Sequence, residues 1–250
     1  MRLIHPLILM LTLLLATPAL AQHDCCGKCD SATVTLTPKQ VRQLKKYSPF
    51  SILGDSYSTF KGYTTPVDNA QWYPHKGNDV TKPCQTWWEL FRKASGLKLD
   101  RNNSYSGATV CYTSYNKAIK ISSAFVTRAT NLGSPRLIIV EGGTNDSWAG
   151  SPIGEYKWQD WTEQDLRSFR PAAAKTLWLL KQTYPKAHIV YMLNSQLKEE
   201  INSSVVEICR HYDVPLLRLH DIDKQQGHPS YDGMQAICQQ LLQYLLFDHR

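Results

Sequence analysis

The sequence predicts an α/β fold in which a parallel sheet is covered by helices on both faces, and three observations predict it. Five short apolar runs alternate along the chain with stretches of helical periodicity, the order expected when each strand returns to the sheet through a crossover. One run, "RLIIVEGG" at residues 136–143, is apolar without a break until its turn residues, which suits a strand buried on both faces. Near the carboxyl end, Met234, Ile237, Leu241 and Leu245 recur at three- and four-residue spacing, the apolar stripe of a covering helix.

At the amino end, Arg2 precedes an apolar run over residues 7–16, and Ala19-Leu20-Ala21 fits a small-x-small cleavage site. Residues 1–21 therefore read as a secretory signal peptide, in a chain exported to the periplasm or beyond. The run falls short of the roughly 20 apolar residues that span a bilayer. Residues 22–36 read as a flexible segment and residues 37–250 as one domain, a size within the reach of a single core.

Within that domain "TPKQVRQLKK" reads as a short helix with Pro38 in its first turn. It leads into a first strand at residues 50–53. Thr86 and Glu89 have the spacing of a capping box opening "TWWELFRKASG", which Gly96 closes. "LKLDRNN" reads as the second strand and "RLIIVEGG" as the third. A helix is expected over about residues 162–184, kinked or interrupted at Pro171. "AHIVYMLN" and "VPLLRLH" supply two more strands around a helical stretch at residues 201–212.

The 28 Lys and Arg outnumber the 21 Asp and Glu for a net charge of +7, but they are scattered along the chain, which argues against a nucleic-acid partner. Seven cysteines in an exported chain make disulfides possible, and Cys84 with Cys111 is a candidate pair. The "HDCCGKC" cluster, His23 with Cys25, Cys26 and Cys29, reads as thiols or local disulfides in a terminal segment rather than as a metal site. No metal and no cofactor are expected.

In parallel sheets the loops leaving the carboxyl ends of the strands build the site. Ser56, Gly107, Asn145 and the segment after Leu219 all fall there. "GDSYS" carries Ser56, "SYSGATV" carries Gly107, "GGTND" carries Asn145 and "GHPS" carries His228. Taken singly, Ser56 is a helix cap, Gly107 and Asn145 are turn formers, and His228 is a loop histidine. The four blocks in this order resemble the SGNH/GDSL hydrolase superfamily, from about residue 51 to the last helix.

The resemblance implies a three-layer α/β/α sandwich around a mainly parallel, five-stranded, flavodoxin-like sheet, and a serine esterase. It makes Ser56 the nucleophile and His228 the base, with an oxyanion hole of the Ser56 and Gly107 N–H groups and the Asn145 side chain. Ester cleavage needs these types: a serine hydroxyl is a weak nucleophile without a base, and an imidazole is neutral and basic near pH 7. The tetrahedral intermediate carries an oxyanion that preorganised donors stabilise. Asp55 and Asp146 read as groups that pin their loops. His220, at the end of the last strand, is a rival base that matches no family block.

One position departs from the family pattern. An Asp usually stands three residues before the base, and here that residue is Gln225. Asp223 reaching in from two residues earlier, or a backbone carbonyl acting in a Ser-His dyad, are the alternatives, with the dyad favoured.

Two long inserts, residues 61–83 and 148–161, carry many aromatic residues, among them Tyr63, Tyr73, Tyr156 and Trp161. Trp72, Trp148 and Trp158 are the candidate substrate-binding residues. The inserts hold few long aliphatic side chains, which favours a short acyl group, acetyl above all, on a small-molecule or polysaccharide ester. A general short-chain esterase, a lysophospholipase or thioesterase, and a catalytically impaired glycan-binding protein are the alternatives. The protein is expected to be a monomer.

Overall fold

The computed structural model describes residues 34–247; the expected signal peptide and the "HDCCGKC" cluster lie outside them. Five strands form one parallel sheet: β1 (Phe50–Gly54), β2 (Leu99–Ser104), β3 (Leu137–Glu141), β4 (His188–Leu193) and β5 (Leu216–Arg218). Their order, β2-β1-β3-β4-β5, is the flavodoxin-like doubly wound arrangement. In the central register Ile52 pairs with Ile139, and Ile139 with Val190.

The pleat sends alternate residues of each strand to opposite faces, and the sheet is apolar on both. Phe50, Ile52, Leu137, Ile139, Val190 and Met192 face a layer built by α1 (Pro38–Leu44), α2 (Trp87–Ser95) and α7 (Tyr231–Phe247). Leu53, Ile138, Val140, Ile189, Tyr191 and Leu193 face α3 (Phe125–Arg128), α5 (Phe169–Thr183) and α6 (Glu199–His211). Each large side chain taken out of water contributes roughly 1.5–3 kcal/mol. The predicted stripe of α7 is the buried one, since Met234, Ile237, Leu241 and Leu245 are all 2% exposed or less.

Two local expectations change. Thr86 stands at the N-cap of α2 without a side-chain capping bond; its hydroxyl donates to Pro83 O at 2.7 Å and Glu89 pairs with Arg92, so the capping box is not formed there. The box forms instead at α1, where Thr37 and Gln40 cap each other reciprocally. Pro171 neither kinks nor interrupts α5, because the helix begins only at Phe169. That places proline in the first turn, where its missing N–H would have had no intrahelical acceptor. Residues upstream form a separate 3-10 turn (Asp165–Arg167) that ends at Ser168 in extended backbone.

The expected Cys84–Cys111 pair is also corrected. Cys111 is a free thiol buried in the α3/α5 layer, its Sγ 3.3 Å from Thr113 O. Cys84 sits in the turn entering α2, which packs on α2 and α7 on the other side of the sheet, and is itself disulfide-bonded, so Cys111 is not its partner.

The sheet positions the site through its switch point. The chain leaves β1 towards β2 on one side, while β3 lies on the other, so the loops after β1 and β3 diverge and open a crevice at their carboxyl ends. Gly54, the last residue of β1, is packed so closely that an added Cβ would meet Ser104 Oγ at 2.6 Å and Ser58 Cβ and Oγ at 2.9 Å. Gly54→Ala is therefore expected to cost about 1–3 kcal/mol through forced displacement of both neighbours. Urea unfolding measures it, and a change below about 0.5 kcal/mol, the usual surface value, would contradict the close packing.

Candidate active site

Asp55 follows β1 and starts a 3-10 turn (Ser56–Ser58), its carboxylate accepting from Tyr57 N at 3.0 Å. Ser56 is the first residue of that turn, so its N–H has no acceptor within it, and none appears among the other described residues. The Ser56 side chain meets His228: Oγ lies 2.9 Å from Nε2.

His228 arrives on a small antiparallel hairpin of β6 (Lys224–Gln225) and β7 (His228–Pro229). Its two loop residues, Gln226 at φ +53 and Gly227 at φ +75, have the paired positive φ values of a type I′ turn. The turn brings Gln226 O to 3.1 Å from His228 Nδ1. A carbonyl only accepts, so Nδ1 carries the proton and Nε2 is left to accept from the Ser56 hydroxyl. Tyr57 OH donates to Gly227 O at 2.6 Å, which ties the serine turn to the histidine hairpin.

Gly107 stands in the loop after β2 with φ +77 and open space where a Cβ would be. Its neighbours Ser106 and Ala108 donate to backbone carbonyls, while the Gly107 N–H has no acceptor among the described residues. Asn145 is buried on α4 (Thr144–Ala149). Its Oδ1 accepts from Tyr115 OH at 2.6 Å, which fixes the amide so that Nδ2, a buried donor, has no partner among the described residues. Asp146 next to it accepts from Val110 N at 2.7 Å and Cys111 N at 3.3 Å, holding the end of the Gly107 loop against α4.

Burial governs the charges. Desolvation lowers His228 to about 4, against a partial rise from its bond to Gln226 and with His75 and Lys224 also lowering it; near neutral pH the imidazole is an unprotonated acceptor. Beneath the serine turn, Asp55 and Glu141 are both buried carboxyls, raised by desolvation, Asp55 to about 7. Glu141 takes a bond from Ser58 OH at 3.1 Å, and Asp55 Oδ2 and Glu141 Oε1 have no other partner. The two carboxyls hydrogen-bond each other, which requires one of them to hold a proton. Arg128, fully buried and lowered by desolvation to about 9, remains a cation at neutral pH and donates to Gly54 O at 3.1 Å.

The structure thus brings Ser56, Gly107, Asn145 and His228 to the crevice. Asp223 is elsewhere engaged, taking bonds from the Ser230 hydroxyl and backbone N–H, and Gln225 Oε1 accepts from Asp79 N at 2.9 Å; neither orients the imidazole. His220 is 72% exposed, paired with Asp221 and bonded to Gln240 of α7. Of the tryptophans, Trp148 is 45% exposed and lies edge-on to His228, ring centres 5.8 Å apart. Trp72 is stacked on His228 and His75, and Trp158 on Tyr156 and on His211 at the end of α6, so neither offers a free face to substrate.

A family model for GDSL-like Lipase/Acylhydrolase matches residues 48–245. The chain belongs to this family. Among solved structures it is similar to a candidate GDSL-like lipase from Bacteroides uniformis, at 56% identity over 77% of this chain and 92% of that one, TM-score 0.76. A second, from Bacteroides ovatus, is 50% identical over 79% and 97% of the two chains, TM-score 0.78. The fold is shared more distantly with a family two carbohydrate esterase from Clostridium thermocellum in complex with cellohexaose, at 15% identity over 77% and 62%, TM-score 0.51. No curated protein sequence matches.

In this member of the GDSL-like family, sequence reasoning passed over Tyr115, Glu141 and Arg128, and it expected a backbone carbonyl at His228 without naming Gln226. Glu141 left a signal, a lone charge ending an apolar strand. The others left none, since only the fold brings them to the crevice.

The carboxyl pair has a consequence for stability. A carboxyl raised in the folded state favours folding below its unfolded value near 4, and that contribution is lost as pH rises through the folded value, about 7 for Asp55. Each extra proton held by the folded state tilts stability by about 1.4 kcal/mol per pH unit. Glu141→Gln removes one carboxyl and supplies a permanent donor to Asp55. Its stability relative to the wild type is expected to rise between pH 5 and pH 8 in denaturant titrations; a constant difference would show that the pair does not share a proton.

Proposed function

We propose that the protein is an SGNH-type serine esterase that works as a Ser56–His228 dyad on short-chain acyl esters, acetyl above all, carried by carbohydrates. The observation that carries this reading is the 2.9 Å contact between Ser56 Oγ and His228 Nε2, made by an imidazole whose other nitrogen is committed to Gln226 O.

Ser56 Oγ attacks the acyl carbonyl as its proton passes to His228 Nε2. The Ser56 and Gly107 N–H groups and Asn145 Nδ2, three donors without protein partners, receive the oxyanion. Imidazolium then protonates the leaving alcohol, and water admitted to the same base releases the acid from the acyl-enzyme. The Gln226 carbonyl stabilises the imidazolium with its partial negative charge, in the place of a carboxylate.

For the substrate, Trp148 and Tyr115 supply the exposed aromatic surface beside the dyad, 45% and 39% exposed. Flat exposed rings with polar loops around them suit a sugar more than a long acyl chain. The solved carbohydrate esterase bound to cellohexaose supports a glycan at the level of fold alone. The amino-terminal leader supports action outside the cytoplasm.

The test is hydrolysis of a p-nitrophenyl ester series from acetate to long chains, followed by release of acetate from acetylated oligosaccharides. Wild type is expected to be fastest on acetate. Ser56→Ala and His228→Ala are each expected to lose at least about 10³-fold in kcat. Activity that rises with chain length would refute the acetyl reading, and activity surviving Ser56→Ala would refute the nucleophile. Tyr115→Phe frees the Asn145 amide to rotate, and a loss of roughly tenfold or more in kcat is expected, read in the same assay.

A further inference from the structure

Trp72 belongs to the first long insert, yet it is built into the dyad. Its indole lies flat on the His228 imidazole, ring centres 3.7 Å apart and planes 7° apart, and His75 covers its other face at 4.6 Å and 13°. Its backbone N–H donates to Thr59 Oγ1 at 2.9 Å, just past the serine turn. The adjoining Tyr73 donates its hydroxyl to Pro229 O at 2.7 Å, one residue beyond His228. Trp72 is thus anchored from both partners of the dyad.

The need for it follows from geometry. Two hydrogen bonds, Nδ1 to Gln226 O and Nε2 to Ser56 Oγ, hold the imidazole at two atoms within its own plane and, with the tether at Cβ, resist only weakly a tilting of the ring. A flat indole in van der Waals contact does limit it, and also keeps water from one whole face of the ring.

Resting on the esterase reading, we infer that Trp72 is a positioning residue for His228: its indole face fixes the imidazole plane and dries it, in a site that lacks an orienting carboxylate. This differs from a sugar-stacking role, for which Trp72 has no uncovered face.

The groups around His228 set the sign of the test. Ser56, Tyr57 and Tyr73 meet it as neutral hydroxyl-bearing side chains, Trp148 lies edge-on, His75 faces it across Trp72, and Lys224 is held over the Tyr57 ring. Desolvation is the largest influence holding His228 down to about 4. Trp72→Leu admits water to the ring, so its titration should move up towards the ordinary histidine value, with Lys224 and His75 still opposing.

The experiment is an NMR titration of the His228 imidazole in wild type, Trp72→Leu and Trp72→Phe, with kcat and KM measured across pH. Expected are an upward shift of the His228 titration and of the acidic limb of kcat in Trp72→Leu, with kcat lowered of order tenfold to hundredfold and KM changed less. Trp72→Phe, which keeps a flat face, should stay near wild type in both. An unmoved titration in a folded Trp72→Leu protein would overturn the inference, as would a change carried by KM alone. The ring titration reads the inference without reference to turnover, so a wild type devoid of esterase activity would refute the esterase reading while the titration still decides the role of Trp72.

Discussion

The site depends on one hydrogen bond, from His228 Nδ1 to the carbonyl of Gln226. It is made by a two-residue turn folding back on the strand that carries His228, so the acceptor and the imidazole belong to one hairpin. With that proton committed, Nε2 can only accept, and the Ser56 hydroxyl 172 residues away in the chain is the donor it meets. The arrangement follows from backbone conformation: positive φ at Gln226 and Gly227 aims the carbonyl. Tyr57 donating to Gly227 O then ties the hairpin to the serine turn.

A neutral carbonyl gives less electrostatic support to an imidazolium than a carboxylate does, and the rest of the crevice is arranged consistently with that. The carboxyls near the serine turn are spent on scaffolding. Asp146 grips the Gly107 loop, and Asp55 and Glu141, both raised by burial, lie together under the turn, where Glu141 takes a bond from Ser58. Ionising both of the latter so deep in the protein would be destabilising by several kcal/mol. They hold positions instead of polarising the base.

The fold was legible because it rests on patterning. Alternating apolar strands and helices, the unbroken run before Glu141 and the α7 stripe each report burial, and burial fixes the doubly wound sheet. The four blocks that carry Ser56, Gly107, Asn145 and His228 were legible as a resemblance, and the fold brings all four to its switch point. What escaped was set by tertiary approach. Pro171 reads as a breaker until the start of α5 is known, and Cys84 and Cys111 read as partners until they fall on opposite faces of the sheet. Trp72 reads as a substrate platform until His75 and His228 are seen to occupy its two faces, and Trp158 until it is seen against α6. The Gln226 carbonyl has no side-chain signature at all.

The most direct test of the account is covalent labelling of the nucleophile. An alkyl fluorophosphonate should add once to the wild-type protein, on the peptide that contains Ser56, because its phosphonyl centre takes the serine oxygen and places its own oxygen among the three free donors. Peptide mass spectrometry is predicted to find that single adduct, and to find it slowed by at least about 10³-fold in His228→Ala. An adduct on a different residue, or none under conditions that label a known serine esterase, would contradict the assignment of Ser56 and His228 as an acyl-transfer dyad.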